Sequence, residues 1–381
     1  MKKIIVLAEC NSTGGTGTYL KRILKFLKED YSVHIVLNKS LADAQLVDFL
    51  LQAKISYSLD YSLFPGLDKF LRRVAKVIGL RLFFEYFRDN AIRKRIEWKY
   101  RPDLFVISQG GGCNYFAFFN SLKPVILISH SLFTTSIYKY PLGSQFLRLF
   151  DKISDRNKKL ITVSKYAKNL FVGNFKSKKI ASITDFVHNY GERPLGGETR
   201  ASKVVTTLTL GHVISYKNPE LWLDVAIKLS AQYPNKLRFI WAGEGEMLQE
   251  MRQKAFPFKN IEFIGFTSEV ENLYSETDIY FQPSYWENHS ISVLEAMAHG
   301  IPCIVSDAGG LPESIDDGIE GFICPIYGVE NYNLAFCSLI DSETLRKEMG
   351  QNARTRFETF FTKEAWSFRM QEIMRSVLSL S

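Results

Sequence analysis

The sequence predicts an α/β protein built from two doubly wound parallel sheets, and three observations carry that expectation. Short apolar runs alternate with helix-period stretches from end to end, the runs are apolar throughout, and the charge changes sign halfway along the chain. Strands covered on both faces read as continuous apolar runs, and parallel neighbours need crossovers long enough to hold a helix. Residues 1–190 carry 31 Lys and Arg against 14 Asp and Glu, whereas residues 191–381 carry 17 against 26. Halves of opposite charge balance point to two domains with different surfaces to serve.

The expected strands of the first half are 3–8, 32–37, 103–107, 125–129 and 160–163, and those of the second are 204–210, 237–242, 261–264, 279–282 and 302–306. Helical periodicity marks 19–28, 220–231, 291–299 and 342–358. Residues 191–202 are rich in Gly and turn formers and fall where the charge changes, so they read as a linker. The domains are therefore placed at 1–190 and 203–360, with a crevice between them. In open α/β sheets ligands bind beyond the carboxyl ends of the strands, so the loops after strands are where chemistry is expected.

Composition narrows the class. With 381 residues, 46% hydrophobic and 23% charged, the chain excludes disorder, collagen and coiled coil as its main state. No apolar run nears the ~18 residues of a membrane span. The run 4–8 stops at Glu9, short of the roughly 7–15 residues of a signal-peptide core, and Leu7-Ala8-Glu9-Cys10 puts an acid where a lipoprotein site needs a small residue. Cysteines 10, 113, 303, 324 and 337 form no C-x-x-C, which fits a reduced, cytoplasmic compartment.

Residues 67–101 break the alternation with eleven Lys and Arg, four acids and seven aromatics on a helical pattern. Two readings stay open: contact with an anionic membrane surface, or a solvated helical hairpin whose aromatics pack inward. No nucleic-acid-binding module accompanies the patch, so no nucleic acid is expected as a partner.

The strongest chemical signal is Glu287-Asn-His-Ser-Ile-Ser-Val-Leu-Glu295-Ala-Met-Ala-His-Gly300-Ile-Pro302. Glu287 falls in the loop after strand 279–282 and Glu295 inside a helix that Gly300 and Pro302 stop. Residues 288–292 then offer free backbone N–H groups at the helix start, an anion site. Strand 302–306 leads to Ser306-Asp-Ala-Gly309-Gly310-Leu-Pro312-Glu313, a Gly-Gly turn opening another helix.

These motifs resemble the signature of the GT4 family of retaining glycosyltransferases, and 318–325 follow in the family's order. The resemblance implies the GT-B fold, two Rossmann-like domains facing each other across a crevice, with 1–190 on the acceptor side and 203–360 binding the nucleotide-sugar donor. Glu287 is similar to the family glutamate that contacts the donor sugar, and Glu295 to the one that binds the nucleotide ribose. Between them the family has small residues such as Gly-Phe-Gly. Here Asn288, His289 and Ser290 precede Ile291, which keeps the backbone donors but makes the sugar pocket bulkier and more polar.

Upstream, Gly211-His212-Val-Ile-Ser-Tyr-Lys217 resembles the family's Gly-Arg…Lys phosphate segment, with His212 in place of Arg and Lys217 as the diphosphate ligand. Gly243-Glu244-Gly245 resembles its Gly-Asp/Glu-Gly turn, and Gly265-Phe266-Thr267 the segment bordering the base. In the first half, Gly14 and Gly15 fit the family's Gly-Gly loop, and position 20 is Leu where a dinucleotide fingerprint needs a third Gly. His130, after strand 125–129, is similar to the family histidine near the donor sugar's hydroxyls. Residues 110–112 are expected to shape the acceptor side, and His188 and Asn189 read as structural.

The implied function is hexosyl transfer with retention, from a UDP-sugar before a GDP-sugar, to a saccharide or lipid-linked saccharide acceptor in polysaccharide or glycolipid assembly. Glu287, Lys217 and His130 are the expected catalytic residues. No Asp-x-Asp occurs, so neither a metal nor a cofactor is expected, and preorganised electrostatics would carry the charge. The alternatives are a sugar-nucleotide epimerase or hydrolase on the same architecture, or a non-catalytic nucleotide-binding, membrane-associated protein. The expected location is cytoplasmic, peripheral on the inner face of the membrane. Residues 361–381 are expected to form a last helix crossing back to the first domain.

Overall fold

A computed structural model describes residues 1–9, 14–37, 42–59, 81–109, 116–130, 157–175, 177–193 and 204–379. The expectations for 67–80, 110–112 and 194–202 lie outside the described residues. The chain divides into two compact units, Met1–Val187 with Ser367–Ser381, and His188–Trp366.

In the first unit seven described strands form one parallel sheet: β1 Lys3–Glu9, β2 Ser32–Leu37, β3 Ser56–Ser58, β4 Leu104–Gln109, β5 Val125–Ser129, β6 Lys158–Thr162 and β7 Thr184–Phe186. Their spatial order is β3-β2-β1-β4-β5-β6-β7. The winding reverses at β1, where Ile4 pairs with Val33 on one side and Leu104 on the other. Ile4 to Leu7 are fully buried, as the unbroken apolar run requires of a strand covered on both faces. Helix Gly14–Asp30 buries Leu20, Ile23, Leu24 and Leu27 on one stripe, at the spacing of a face turned to the sheet. It begins five residues before the expected start, because Gly14 and Gly15 form its first turn.

The second unit repeats the plan with six described strands: β8 Val205–Leu210, β9 Leu237–Ala242, β10 Ile261–Gly265, β11 Ile279–Gln282, β12 Cys303–Ser306 and β13 Gly321–Cys324. All are parallel, in the order β10-β9-β8-β11-β12-β13. One face of this sheet is covered by an aromatic core in which Trp222 meets Trp241 edge-on at 5.4 Å and Phe263 at 5.0 Å. Both indoles find acceptors, Thr209 Oγ1 at 2.8 Å and the Gly211 carbonyl at 2.9 Å, so neither buried N–H is left unpaired. Leu208, Tyr280, Leu294, Met297 and Val305 belong to the core that covers the other face.

Three strands escape the sequence pattern: β3, β7 and β13. β3 and β7 are three-residue edge strands of mixed polarity, and in β13 the apolar run after the opening glycine is only three residues long. The helix expected after Gly310 is a single 3-10 turn, Leu311–Glu313. The final helix, Lys363–Leu378, buries Met370, Ile373, Met374 and Val377. Its Arg369 donates to Asp185 at 2.6 Å beside β7. Among the described residues no helix is long and apolar enough to cross a membrane.

Candidate active site

In the second unit the winding reverses between β8 and β11, the place where an open α/β sheet leaves a crevice for a ligand. The loops leaving the carboxyl ends of these two strands carry Gly211, His212 and Lys217 on one side and Glu287, Asn288, His289 and Ser290 on the other. After β8 the backbone passes Gly211 and His212 to a 3-10 turn, Ser215–Lys217, that ends on Asn218 in the left-handed conformation. Asn218 caps the following helix, Pro219–Gln232, by accepting the Leu221 N–H. The turn folds the Lys217 chain back over Gly211, whose missing Cβ would lie 3.7 Å from the lysine Cε.

Lys217 Nζ donates to Glu287 Oε2, and the pair is mostly buried, with side chains 13% and 16% exposed. The same carboxylate oxygen accepts from Gln282 Nε2 at 3.0 Å, and the other accepts the Asn288 N–H at 3.3 Å. Gln282, the last residue of β11, is itself buried and uses its other amide atom to accept from Ser290 Oγ at 2.9 Å and Tyr280 OH at 3.3 Å. One amide thus fixes the Glu287 carboxylate and the start of helix Ile291–Ala298 together. Ser290 occupies the N-cap position of that helix without capping it with its own side chain. The opening N–H groups are therefore not closed by Ser290.

The loop is held from behind by the Gly-Gly turn. Gly310 N–H donates to the Glu287 carbonyl at 2.9 Å. Gly309 has φ +61, and a Cβ there would meet that same carbonyl oxygen at 2.0 Å, so only glycine fits. Glu295, one turn into the helix, accepts from Tyr274 OH at 3.3 Å. Burial, then the Glu295 charge, pushes the Tyr274 phenol up, which keeps it a donor.

The other candidates are placed differently. Gly243 abuts Gly211, where a Cβ would lie 2.0 Å from the Gly211 oxygen, so these two residues stack the turns after β8 and β9. Glu244 accepts the Phe266 N–H at 3.1 Å and so ties down the 265–267 turn; Phe266 itself is exposed, and Thr267 Oγ1 accepts the Glu269 N–H at 3.0 Å. His212 is held below the usual histidine range, first by partial desolvation and then by the Lys217 charge. His289 is buried, and its ring leaves the Lys217–Glu287 group. It stacks on His188 at 4.6 Å, and its Nδ1 accepts the Asn189 N–H at 3.3 Å. Asn189 Nδ2 also donates to the His289 carbonyl at 2.7 Å, and His188 Nε2 lies 2.7 Å from Glu313 Oε2. With Nδ1 accepting, the His289 proton sits on Nε2; burial, then His188, holds this ring well below the ordinary range.

In the first unit Gly14 and Gly15 open the helix after β1, with Gly14 at φ +70. His130 follows β5, Nε2 3.1 Å from Ser108 Oγ and its ring edge-on to Tyr19 at 4.4 Å. Burial brings it down to about 4, so it is neutral at ordinary pH. Gln282, Tyr274 and the pair Gly309–Gly310 were not among the expected site residues. Gln282 leaves one signal, a polar residue ending an otherwise apolar strand at its carboxyl edge. Among the described residues no group of three His, Cys, Asp or Glu stands where it could hold a metal ion.

Two parallel doubly wound sheets of this order define the class: the fold is that of the GT-B glycosyltransferases. The chain superposes over its whole length on a glycosyltransferase from Rickettsia africae, with a TM-score of 0.77 at 17% identity, covering 100% of both chains. HepE from Anabaena, solved with UDP, gives 0.75 at 17% identity, covering 99% of this chain and 100% of that one. Residues 197–356 match the family described as glycosyl transferases group 1, and over that span the chain is GT4-like. Among curated relatives, an uncharacterized glycosyltransferase from Haemophilus influenzae is 28% identical over 207 residues, 53% of this chain and 57% of the relative. The Escherichia coli UDP-Gal:alpha-D-GlcNAc-diphosphoundecaprenol alpha-1,3-galactosyltransferase is 25% identical over 171 residues, 43% of each chain. The chain thus spans about half the length of these two relatives.

Proposed function

We propose that the protein is a retaining glycosyltransferase that takes a hexose from a nucleoside diphosphate, UDP before GDP. The observation that carries the reading is the buried Lys217–Glu287 pair, bridged by Gln282 to the start of helix Ile291–Ala298. A lysine and uncapped helix N–H groups suit a diphosphate, and a fixed carboxylate suits sugar hydroxyls. The diphosphate takes Lys217 from Glu287, which frees that carboxylate for the donor sugar, and Glu295 takes the ribose. HepE is solved with UDP, which supports uracil as the base.

The bond from the anomeric carbon to the diphosphate oxygen breaks, and the acceptor oxygen bonds to that carbon on the same face. The acceptor's proton passes to the leaving phosphate. The negative charge that grows there meets Lys217 and the helix N-terminus. The acceptor proposed is a saccharide or lipid-linked saccharide, as the activity of the Escherichia coli relative supports.

A thermal-shift panel of UDP, GDP and ADP, each with its common sugars, tests the reading. A ligand at 100 times its Kd adds about 2.7 kcal/mol of stability. The expected outcome is a shift with UDP and its sugars. No shift with any nucleotide overturns the proposal.

Contact with an anionic membrane is proposed for helix Arg81–Tyr100. The helix buries Ile92, Arg93 and Ile96, while Phe87 and Trp98 stand exposed with Lys94 on the opposite stripe. Two of its acids are engaged, Asp89 with Arg88 and Glu97 with Arg93, each at 2.8 Å. Co-sedimentation with anionic liposomes at low salt, lost in Trp98→Ala, is expected. No co-sedimentation of the unaltered chain refutes it.

A further inference from the structure

The described residues of the second unit carry an exposed group of aromatic rings that the proposed donor chemistry does not use. Tyr216 precedes Lys217, and Tyr285 and Trp286 precede Glu287, so three of the rings are chain neighbours of the buried ion pair. Trp286 stacks on Tyr216 with ring centres 4.7 Å apart and 24° between the planes, and Tyr285 meets Tyr327 at 5.7 Å. The Tyr285 N–H donates to the Tyr216 carbonyl at 2.8 Å, which locks the two loops together. Even so, Tyr285, Trp286 and Tyr327 remain 38%, 41% and 74% exposed.

Apolar rings are ordinarily buried, and a rigid cluster of them left open to water marks a surface that something covers. Trp and Tyr suit such work because they offer wide amphipathic faces at little cost in side-chain entropy. Tyr216 already covers one face of Trp286, so a flat ligand meets the other. The adjoining polar groups are a carboxylate and an ammonium. A ligand with an apolar face and a hydroxylated rim matches both features, and a pyranose ring has that form.

We propose that Trp286, backed by Tyr216 and extended by Tyr285 and Tyr327, is the acceptor platform: one face of an acceptor pyranose lies on the Trp286 ring. The proposal rests on the transferase reading above. The acceptor is favoured over the donor sugar because Glu287 turns its carboxylate inward to Lys217 and Gln282, whereas the rings run outward to the most exposed of them, Tyr327. The donor sugar stays near the inner pair, tethered to its diphosphate. The outer rings are left for a second saccharide.

The test is saturation-transfer NMR on the full chain with excess UDP, against p-nitrophenyl glucosides, galactosides and N-acetylglucosaminides of both anomers. The expected result is saturation concentrated on the protons of one pyranose face for at least one glycoside. Trp286→Ala should weaken that binding about tenfold, the scale of a lost aromatic contact, and Trp286→Phe should restore part of it. Tyr327→Ala removes a ring so exposed that folding is little affected, and it should weaken binding less. UDP thermal shifts should stay unchanged in all three variants.

No saturation with any glycoside, or equal saturation in Trp286→Ala, would overturn the platform. So would a concentration-dependent dimer that Trp286→Ala abolishes. A nucleotide shift without Trp286-dependent sugar contact sinks the platform and leaves the donor site. Sugar contact with no shift for any nucleotide sinks the donor site and leaves the platform.

Discussion

Lys217 and Glu287 neutralise each other in the unliganded site, and this decides what their loss should do. Removing either leaves its partner partly buried and uncompensated as well as costing a contact to the donor. Lys217→Ala and Glu287→Ala should each lower kcat by roughly 10²–10³, the scale for one preorganised electrostatic contact, as read from steady-state release of UDP in the presence of acceptor. Glu295→Ala should act differently, since the ribose contact proposed for it would be the same in ground and transition state. Its signature is a raised KM for the nucleotide-sugar with kcat kept, and a fallen kcat would contradict that assignment. The two glutamates and the lysine were legible in the sequence because they sit at motif spacing. The tie that holds Glu287 was not: Gln282 is one polar residue in a four-residue strand, and only the path of the loop after β11 brings the Glu287 carboxylate back to it.

At the scale of elements, the loop that carries Glu287 depends on a turn from the next crossover. Gly309 sits against the Glu287 carbonyl, so Gly309→Ala must push the two backbones apart. A loss of about 1–3 kcal/mol is expected in urea denaturation, together with weaker UDP binding, because the displaced backbone is the one that holds the carboxylate. A variant as stable as the parent would show that the turn yields freely. Long strands with unbroken apolar runs, such as Ile4 to Leu7 in β1, were readable because burial on both faces leaves a strong pattern. The edge strands β3, β7 and β13 were not, since polar residues or a leading glycine leave each of them three apolar residues or fewer. His289 shows the same limit for a side chain: its place in a motif gave no hint that Asn189, 100 residues earlier, would hold its ring.

For the whole molecule, the two neutral histidines set a direction for acid sensitivity. His130 falls to about 4 and His289 lies well below its ordinary range, each chiefly through burial. An unfolded histidine near 6.5 binds a proton that the folded one refuses, so folding stability is full above about pH 6.5 and falls as pH drops toward the folded value. The His130 share of that loss is at most about 3 kcal/mol between pH 6.5 and 4. His130→Gln should flatten the pH dependence of the melting temperature across this window. An unchanged slope would mean that the imidazole titrates normally.

The chain leaves its first unit at Val187 and returns to it at Ser367. The first unit therefore waits for residues made after the whole of the second. At about 5–20 residues per second, the intervening stretch delays its final helix by on the order of 10–40 s. During that interval the second unit, continuous in sequence, can complete itself. The bond from Arg369 to Asp185 and the burial of Met370 and Met374 then come as a late closing step. Synthesis order and folding order are thereby crossed, and a nascent chain halted before Ser367 should expose its amino-terminal half to protease while protecting the middle.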